Sequence, residues 1–337
     1  MNNYRLGIFL VALVAIVILG GGIYIYAGKS SAKTEQGKDK KAKKDKKSKK
    51  GKDQGNSKEV GAAVATTDAP CVGGTLVESE SWSLPKELFE ISSIAWLGNG
   101  KIAAVQDQKG IIYSYDLATK KVEKRISFGA DGDYEGLTYA LGHYFVMRSD
   151  GYMFEVDPSG KVLKEYDLPL TEKDNIEPFY YDAPKNRMLI GQKDGEKGAT
   201  TKSFFAFDLA SRKFDPKPVY SVDLNDPIVS CAAGSETTAS SKGKKSGKKK
   251  DKGAGATIRP SEISINPTSK EIFIADGPSH RILVLSPDGK PKYYLSLDKN
   301  SFPQVEGMLF TPTGDFYIST EGAKEPAKIS KMRIVLK

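Results

Sequence analysis

A glutamate that opens an apolar strand returns five times along the chain: Glu90 in EISSIAW, Glu135 in EGLTYA, Glu177 in EPFYYD, Glu262 in EISINP and Glu306 in EGMLFTP. The intervals are 45, 42, 85 and 44 residues. A period of this size marks a module that buries its apolar face only against neighbouring copies. The long interval contains a lysine-rich insertion of 23 residues, 235–257, and without it the interval is 62. That unit carries extra connecting chain rather than a full extra module, so five units is the count and six the alternative.

Each unit has the same grammar. A second strand (KIAAVQD, HYFVMRSD, RMLIGQKD, EIFIADG, DFYISTEG) ends in an acidic residue, and a third follows it (IIYSYDL, YMFEVDPSG, SFFAFDLAS, RILVLSPDG, KISKMRIV). A fourth (EKRISF, LKEYDLP, VYSVDL, KYYLSL) completes the first four units. Apolar and polar residues alternate, Ile, Val, Tyr and Phe dominate, and Gly, Pro, Asn and Asp interrupt them, which is strand patterning. The fifth unit lacks its fourth strand, and ESWSLP, just ahead of the first glutamate, supplies one. Four-stranded units of roughly 40–45 residues, the last completed by the first strand, predict an all-β, five-bladed β-propeller over 75–337. Ring closure leaves only short, protected edges.

The other end of the chain reads differently. Leu6 to Ala27 is 22 residues without a charge, long enough to cross a bilayer core of about 30 Å as a helix. It exceeds the apolar region of a cleaved signal peptide, lacks a clear small-x-small cleavage site and has no cysteine just after it to accept a lipid. Residues 1–27 are therefore predicted to form a transmembrane anchor. Residues 28–74 form a disordered Lys-rich linker with too little apolar surface to offset the entropy of ordering. The insertion at 235–257 has the same composition and reads as a disordered surface loop. An N-terminal anchor ahead of a soluble domain predicts a single-pass protein of the inner membrane with the propeller on the periplasmic side. The positive-inside rule pulls the other way, because the lysine run follows the helix. Those lysines also suit anionic headgroups as a partner.

The net charge of +9 at first suggests a nucleic-acid binder. Residues 29–58 carry +9 and residues 242–252 carry +6, which leaves the rest of the chain at about −6. A mildly acidic domain has no distributed basic face to follow phosphates, so nucleic acid is not an expected partner. Cys71 and Cys231 are the only cysteines. They either form a disulfide or remain two thiols, and neither belongs to a zinc-spaced cluster. His143 and His280, the only histidines, read as structural or surface residues. No GxSxG, HExxH or phosphate-binding glycine loop occurs.

The stretches EISSIAWLGNGKIAAVQDQKGIIYSYDL, FGADGDYEGLTYALGHYFVMRSDGYMFEVD and RPSEISINPTSKEIFIADGPSHRILVLSPDGK, with VEGMLFTPTGDFYISTEG, resemble the SdiA-regulated family of bacterial proteins. The resemblance covers about residues 82–332, and NHL and gluconolactonase-type propellers share its looser blade pattern. It implies five blades, an exported or inner-membrane-attached location and calcium at an internal site, and it brings no defined reaction.

Innermost strands face the propeller axis, so equivalent residues on them converge. Glu90, Glu135, Glu177, Glu262 and Glu306 would then form a ring of carboxylates, stable only with a cation among them or with some protonated. An all-oxygen set suits calcium. The competing reading makes each glutamate an acceptor for backbone N–H groups at a blade-to-blade turn. Glu177, followed by Pro178, fits the ring least well. The acidic ends of the second strands, Asp107, Asp150, Asp194, Asp276 and Glu321, either enlarge the site or form turns. Gln106 and Arg148 are placed to project into the channel, where Arg148 would meet an anionic ligand or a ring glutamate. The expected function is a membrane-tethered, calcium-binding propeller serving as a binding or interaction module for a protein or small ligand. The alternative is a calcium-dependent lactonase or phosphotriesterase.

Overall fold

The computed structural model describes residues 73–195, 198–234 and 258–337. The predicted anchor, the linker up to residue 72, the 235–257 insertion, Cys71 and the Cys231 side chain lie outside the described residues. Among the described residues no helix is long and apolar enough to cross a membrane.

The described residues open with β1 (Gly73–Ser83) and continue through β2 (Ile91–Gly98), β3 (Lys101–Gln106), β4 (Ile111–Asp116) and β5 (Lys121–Ser127). The next group is β6 (Tyr134–Ala140), β7 (His143–Arg148), β8 (Tyr152–Val156) and β9 (Val162–Asp167). The third is β10 (Ile176–Asp182), β11 (Arg187–Gln192), β12 (Thr201–Asp208) and β13 (Lys213–Asp223), followed by helix α1 (Pro227–Gly234). Then come β14 (Glu262–Ile265), β15 (Ile272–Asp276), β16 (Arg281–Leu285) and β17 (Pro291–Ser296), and finally β18 (Val305–Phe310), β19 (Phe316–Thr320) and β20 (Lys328–Leu336).

β2–β5, β6–β9 and β10–β13 each form a four-stranded antiparallel meander. The remaining strands form one eight-stranded sheet in the order β14-β15-β16-β17-β1-β20-β19-β18. Its two halves are the same meander, and β1 supplies the outer strand of the second half by pairing antiparallel with β20. The strand borrowed from the N-terminal side is the one that sequence placed there. Sequence did not show the second partner: Gly73 to Thr75 also pair in parallel with Tyr294 to Ser296 of β17, fusing two sheets into one. Helix α1 was also not foreseen. It spans eight residues, too few for a readable helical period, and buries Val229.

The innermost strands pack in a closed cycle, β2 on β6, β6 on β10, β10 on β14, β14 on β18 and β18 back on β2. Between neighbouring sheets lies an apolar core. Tyr113 and Tyr115 meet Tyr317 and Ile329 in one, and Phe145 and Met153 meet Phe179 and Phe207 in another. Fully buried side chains such as Phe145, Phe179 and Phe273 each contribute about 2–3 kcal/mol by leaving water. Close approach near the axis depends on two glycines that follow ring glutamates. A Cβ on Gly136 would lie 2.5 Å from Phe179 Cβ, and one on Gly307 would lie 2.9 Å from Ile94 Cγ1. The architecture is all-β and propeller-like.

Candidate functional site at the two ends of the axis

The glutamates sit where the inner strands begin, and β-bulges decide which of them are equivalent. Pairing of inner to second strands shifts register between Tyr134 and Gly136, between Ile176 and Phe179, and between Val305 and Gly307. Glu135, Glu177 and Glu306 each fall within such a shift, and a bulge re-aims the residue it leaves unpaired. In the first sheet the shift lies between Ile91 and Ser93, so Ser92 holds the corresponding place and Glu90 precedes the strand. β14 pairs with β15 without a shift, which puts Glu262 in a different orientation. The five glutamates are therefore not five equivalents.

Their environments differ accordingly. Glu90 is exposed and its Oε2 accepts a hydrogen bond from Gln108 Nε2 at 2.9 Å. Glu262 is 1% exposed and fully committed: its Oε1 accepts from the N–H of Phe179 at 3.0 Å and of Ile263 at 2.9 Å, and its Oε2 accepts from Ser93 Oγ at 2.8 Å. It joins β2, β10 and β14 across the axis. Burial pushes its carboxyl well above the ordinary value, and these three donors pull against that. This is the backbone-acceptor role that competed with metal binding in the sequence.

Lys193, a side chain that sequence did not single out, lies beside Glu177 and in the electrostatic field of Glu135 and Glu306. Its Nζ lies 2.5 Å from Glu177 Oε2, a charge contact in which that oxygen accepts no well-directed hydrogen bond. Asn175 Nδ2 donates to Glu177 Oε1 at 3.1 Å, and Gln304 Nε2 donates to Glu306 Oε1. Burial lowers the proton affinity of Lys193, but the fields of Glu306, Glu177 and Glu135 outweigh it, so the lysine stays charged. Burial pushes Glu135 up to about 9, reinforced by Glu177, Glu306 and Asp133. Burial pushes Glu177 up to about 8 against the pull of Lys193. Glu306 is raised by burial and opposed by Lys193 and Gln304. The positive charge within the carboxylate set is a side-chain ammonium.

A calcium ion held by all five glutamates does not fit these residues. Lys193 already pairs with Glu177, Glu262 already accepts three hydrogen bonds and Glu90 faces solvent. Among the described residues no group of three or more acidic, histidine or cysteine side chains stands ready to hold a metal ion.

The acidic ends of the second strands also divide. The residues following the partners of Ile91, Tyr134, Ile176, Glu262 and Val305 are Asp107, Ser149, Lys193, Asp276 and Glu321. Asp150 and Asp194 stand one residue further on, and a one-residue offset turns a strand side chain to the opposite face. Asp150 holds Arg148 through bonds of 2.8 and 2.6 Å, and the guanidinium lies 4.7 Å from the Tyr152 ring, so Arg148 meets its neighbour rather than a ring glutamate. Asp194 pairs with Arg259 at 3.1 Å. Asp276 is buried against Arg281 at 2.6 Å, and burial raises its proton affinity. Asp107 and Glu321 are half-buried. Burial, then Glu90 and Asp133, pushes Asp107 up to about 6, and burial, then Glu306 and Asp107, pushes Glu321 up to about 7. Asp107 Oδ1 is buried and receives no hydrogen bond. Gln106 turns its Oε1 to the N–H of Gln108. Both histidines are structural: His143 Nδ1 meets Glu155 at 2.9 Å, and His280 Nδ1 meets the Phe302 carbonyl at 3.0 Å.

The opposite end of the axis, where inner strands finish, is hollow. A cavity of about 550 Å³ opens among Trp96, Tyr139, Tyr180, Tyr181 and Phe310, with Phe179 and Met308 also lining it. Glu262 meets the cavity wall from within, through its bond to the Phe179 N–H. These aromatics were legible in principle, since four of the five repeats end the inner strand on one: IAW, LTY, FYY and LF.

No family model matches the sequence, and no curated protein matches it. In structure the chain is similar to the glutaminyl cyclase of Myxococcus xanthus, with a TM-score of 0.54 and 9% identity, covering 79% of this chain and 99% of the cyclase. It is also similar to a streptogramin B lyase, with a TM-score of 0.43 and 14% identity, covering 77% of this chain and 98% of the lyase. The likeness to the cyclase is one of fold alone.

Proposed function

We propose that the chain is a five-bladed propeller that works as a binding module, taking its ligand in the aromatic cavity at the end of the inner strands. The blade count rests on five meanders, counting β1 with β18–β20, and on five cores that each join one meander to the next. The observation that carries the function is the cavity: about 550 Å³ of space walled by aromatic rings, within the size range of small-molecule sites. The uncharged run from Leu6 to Ala27 supports tethering at the inner membrane. Trp96 lines the cavity, whereas the only other tryptophan, Trp82, is buried and donates from Nε1 to the Leu117 carbonyl at 2.8 Å. Screening aromatic fragments against the Trp82→Phe chain therefore reads the cavity through Trp96 fluorescence. Saturable quenching that is lost when Tyr139 and Tyr181 become alanine supports the proposal. Absence of any saturable response overturns it.

One observation favours a second site, for calcium, at the glutamate end: Asp107 Oδ1 is buried without a donor. Asp107 would supply oxygens once Glu321 and Glu90 draw in towards it, and an ion there would offset the burial and the neighbouring carboxylate charge that raise the first two. Thermal stabilisation by calcium that disappears in Asp107→Asn supports this reading. A wild-type chain indifferent to calcium removes it.

A further inference from the structure

The rim of the aromatic cavity carries charge of one sign, and that charge narrows the ligand class; the inference rests on the cavity being the ligand site. Lys185 and Lys270 both line it. The carboxylate in the same wall, Asp182, is 4% exposed and accepts a bond from Arg187 Nε at 2.9 Å, so an arginine behind the wall neutralises it. Lys185 Nζ lies 4.0 Å from Asp182 Oδ2, and its side chain remains 57% exposed. Lys270 is exposed and donates to the Pro267 carbonyl at 2.5 Å, which leaves its other N–H groups to solvent. The walls beneath these ammonium groups are apolar and held in place. Trp96 stacks on Tyr317 at 6.0 Å, and Phe310 stacks on Phe316 at 4.4 Å. Rings fixed by such neighbours lose little freedom when a flat ligand enters. Low-dielectric walls also strengthen the field of the rim charges inside the cavity. The acidic end of the axis gives an anion no competing seat.

We infer that the ligand is an amphipathic organic anion: a flat apolar body of two or three rings packs among Trp96, Tyr139, Tyr181 and Phe310, and a carboxylate or sulfonate sits at the rim between Lys185 and Lys270. A cation of the same shape meets like charge at the rim and is rejected there.

The test compares three ligands of one shape, 2-naphthoate, 2-naphthalenemethanol and 2-naphthylmethylammonium. Binding is measured by calorimetry at pH 7 and low salt on the full-length chain in lipid nanodiscs, with empty discs subtracted. The expected order is anion, alcohol, cation, with about tenfold between the first and last. In the Lys185→Gln, Lys270→Gln double variant the anion and cation converge, while the alcohol keeps its affinity to within about twofold. Equal binding of all three, preference for the cation, or a preference that survives the double variant overturns the anion inference and leaves the cavity as a ligand site. Failure of all three to bind overturns the cavity reading with it.

Discussion

The two ends of the axis are built from the same five strands, yet one is full and the other hollow. At the glutamate end Lys193 pairs with Glu177 in the field of Glu135 and Glu306, and Glu262 accepts from two N–H groups and a hydroxyl. At the aromatic end Trp96, Tyr139, Tyr181 and Phe310 leave about 550 Å³ between them. Carboxylates and their donors are packed together at one end, and unfilled contact surface lies between aromatic rings at the other. A cluster of titratable groups is thus a poor guide to binding when its members are one another's partners, since removing one mainly exposes the desolvation cost of the rest.

The comparison can be broken by attacking the filled end. Glu262→Ala strands the Phe179 and Ile263 N–H groups and the Ser93 hydroxyl in the interior, and costs about 4 kcal/mol in urea unfolding. Glu262→Gln keeps the acceptor for both N–H groups and costs below about 1 kcal/mol, which separates the hydrogen-bonding role from the charge. Lys193→Met removes the ammonium beside Glu177 and costs about 3 kcal/mol at alkaline pH, where the carboxylates are ionised. That cost grows with pH, because the carboxylates relieve it at low pH by taking up protons.

Three further measurements sharpen the comparison. Trp96→Ala at the hollow end weakens ligand binding by about 2 kcal/mol and disturbs stability far less, the reverse of the Lys193 variant. Stability as a function of pH is governed by the filled end. The raised values of Glu135 and Glu177, about 9 and about 8, mean that the folded chain keeps protons that the unfolded chain has released above about 4.5. Stability therefore falls as pH rises from about 5 toward 8, and Glu135→Gln flattens the slope. Arg148→Ala breaks the partly exposed pair with Asp150 and the contact with the Tyr152 ring and costs about 1 kcal/mol.

The fold was legible because repetition is a property of the sequence itself. Five glutamates, matching second and third strands and a borrowed outer strand in ESWSLP give the meanders without knowledge of any contact. The site was less legible because its geometry turns on single-residue offsets. Nothing in EISINP announces that β14 lacks the bulge carried by the strands of EGLTYA, EPFYYD and EGMLFTP, yet that one residue makes Glu262 an internal brace. Lys193 was hidden by the same effect. Aligned on the acidic residue, RMLIGQKD puts Asp194 beside Asp107, whereas strand pairing puts Lys193 there. The cavity was missed for a different reason: a void is the absence of side chains, and no residue spells it.

The double pairing of β1 also bears on how the chain is made. Ser79 Oγ donates to the Lys331 carbonyl at 2.9 Å across 252 positions of sequence, and the whole of β1 depends on β17 and β20 for its partners. Contacts this distant in sequence form late, after the loop they close has been ordered. During synthesis β1 emerges first among the propeller strands and waits until the ribosome has delivered residues 328–336, with Leu76 and Trp82 uncovered and an unpaired edge on offer to any other nascent chain. Biogenesis of this propeller is therefore most exposed to misassembly in the interval between its first strand and its last, a hazard that the finished ring no longer displays.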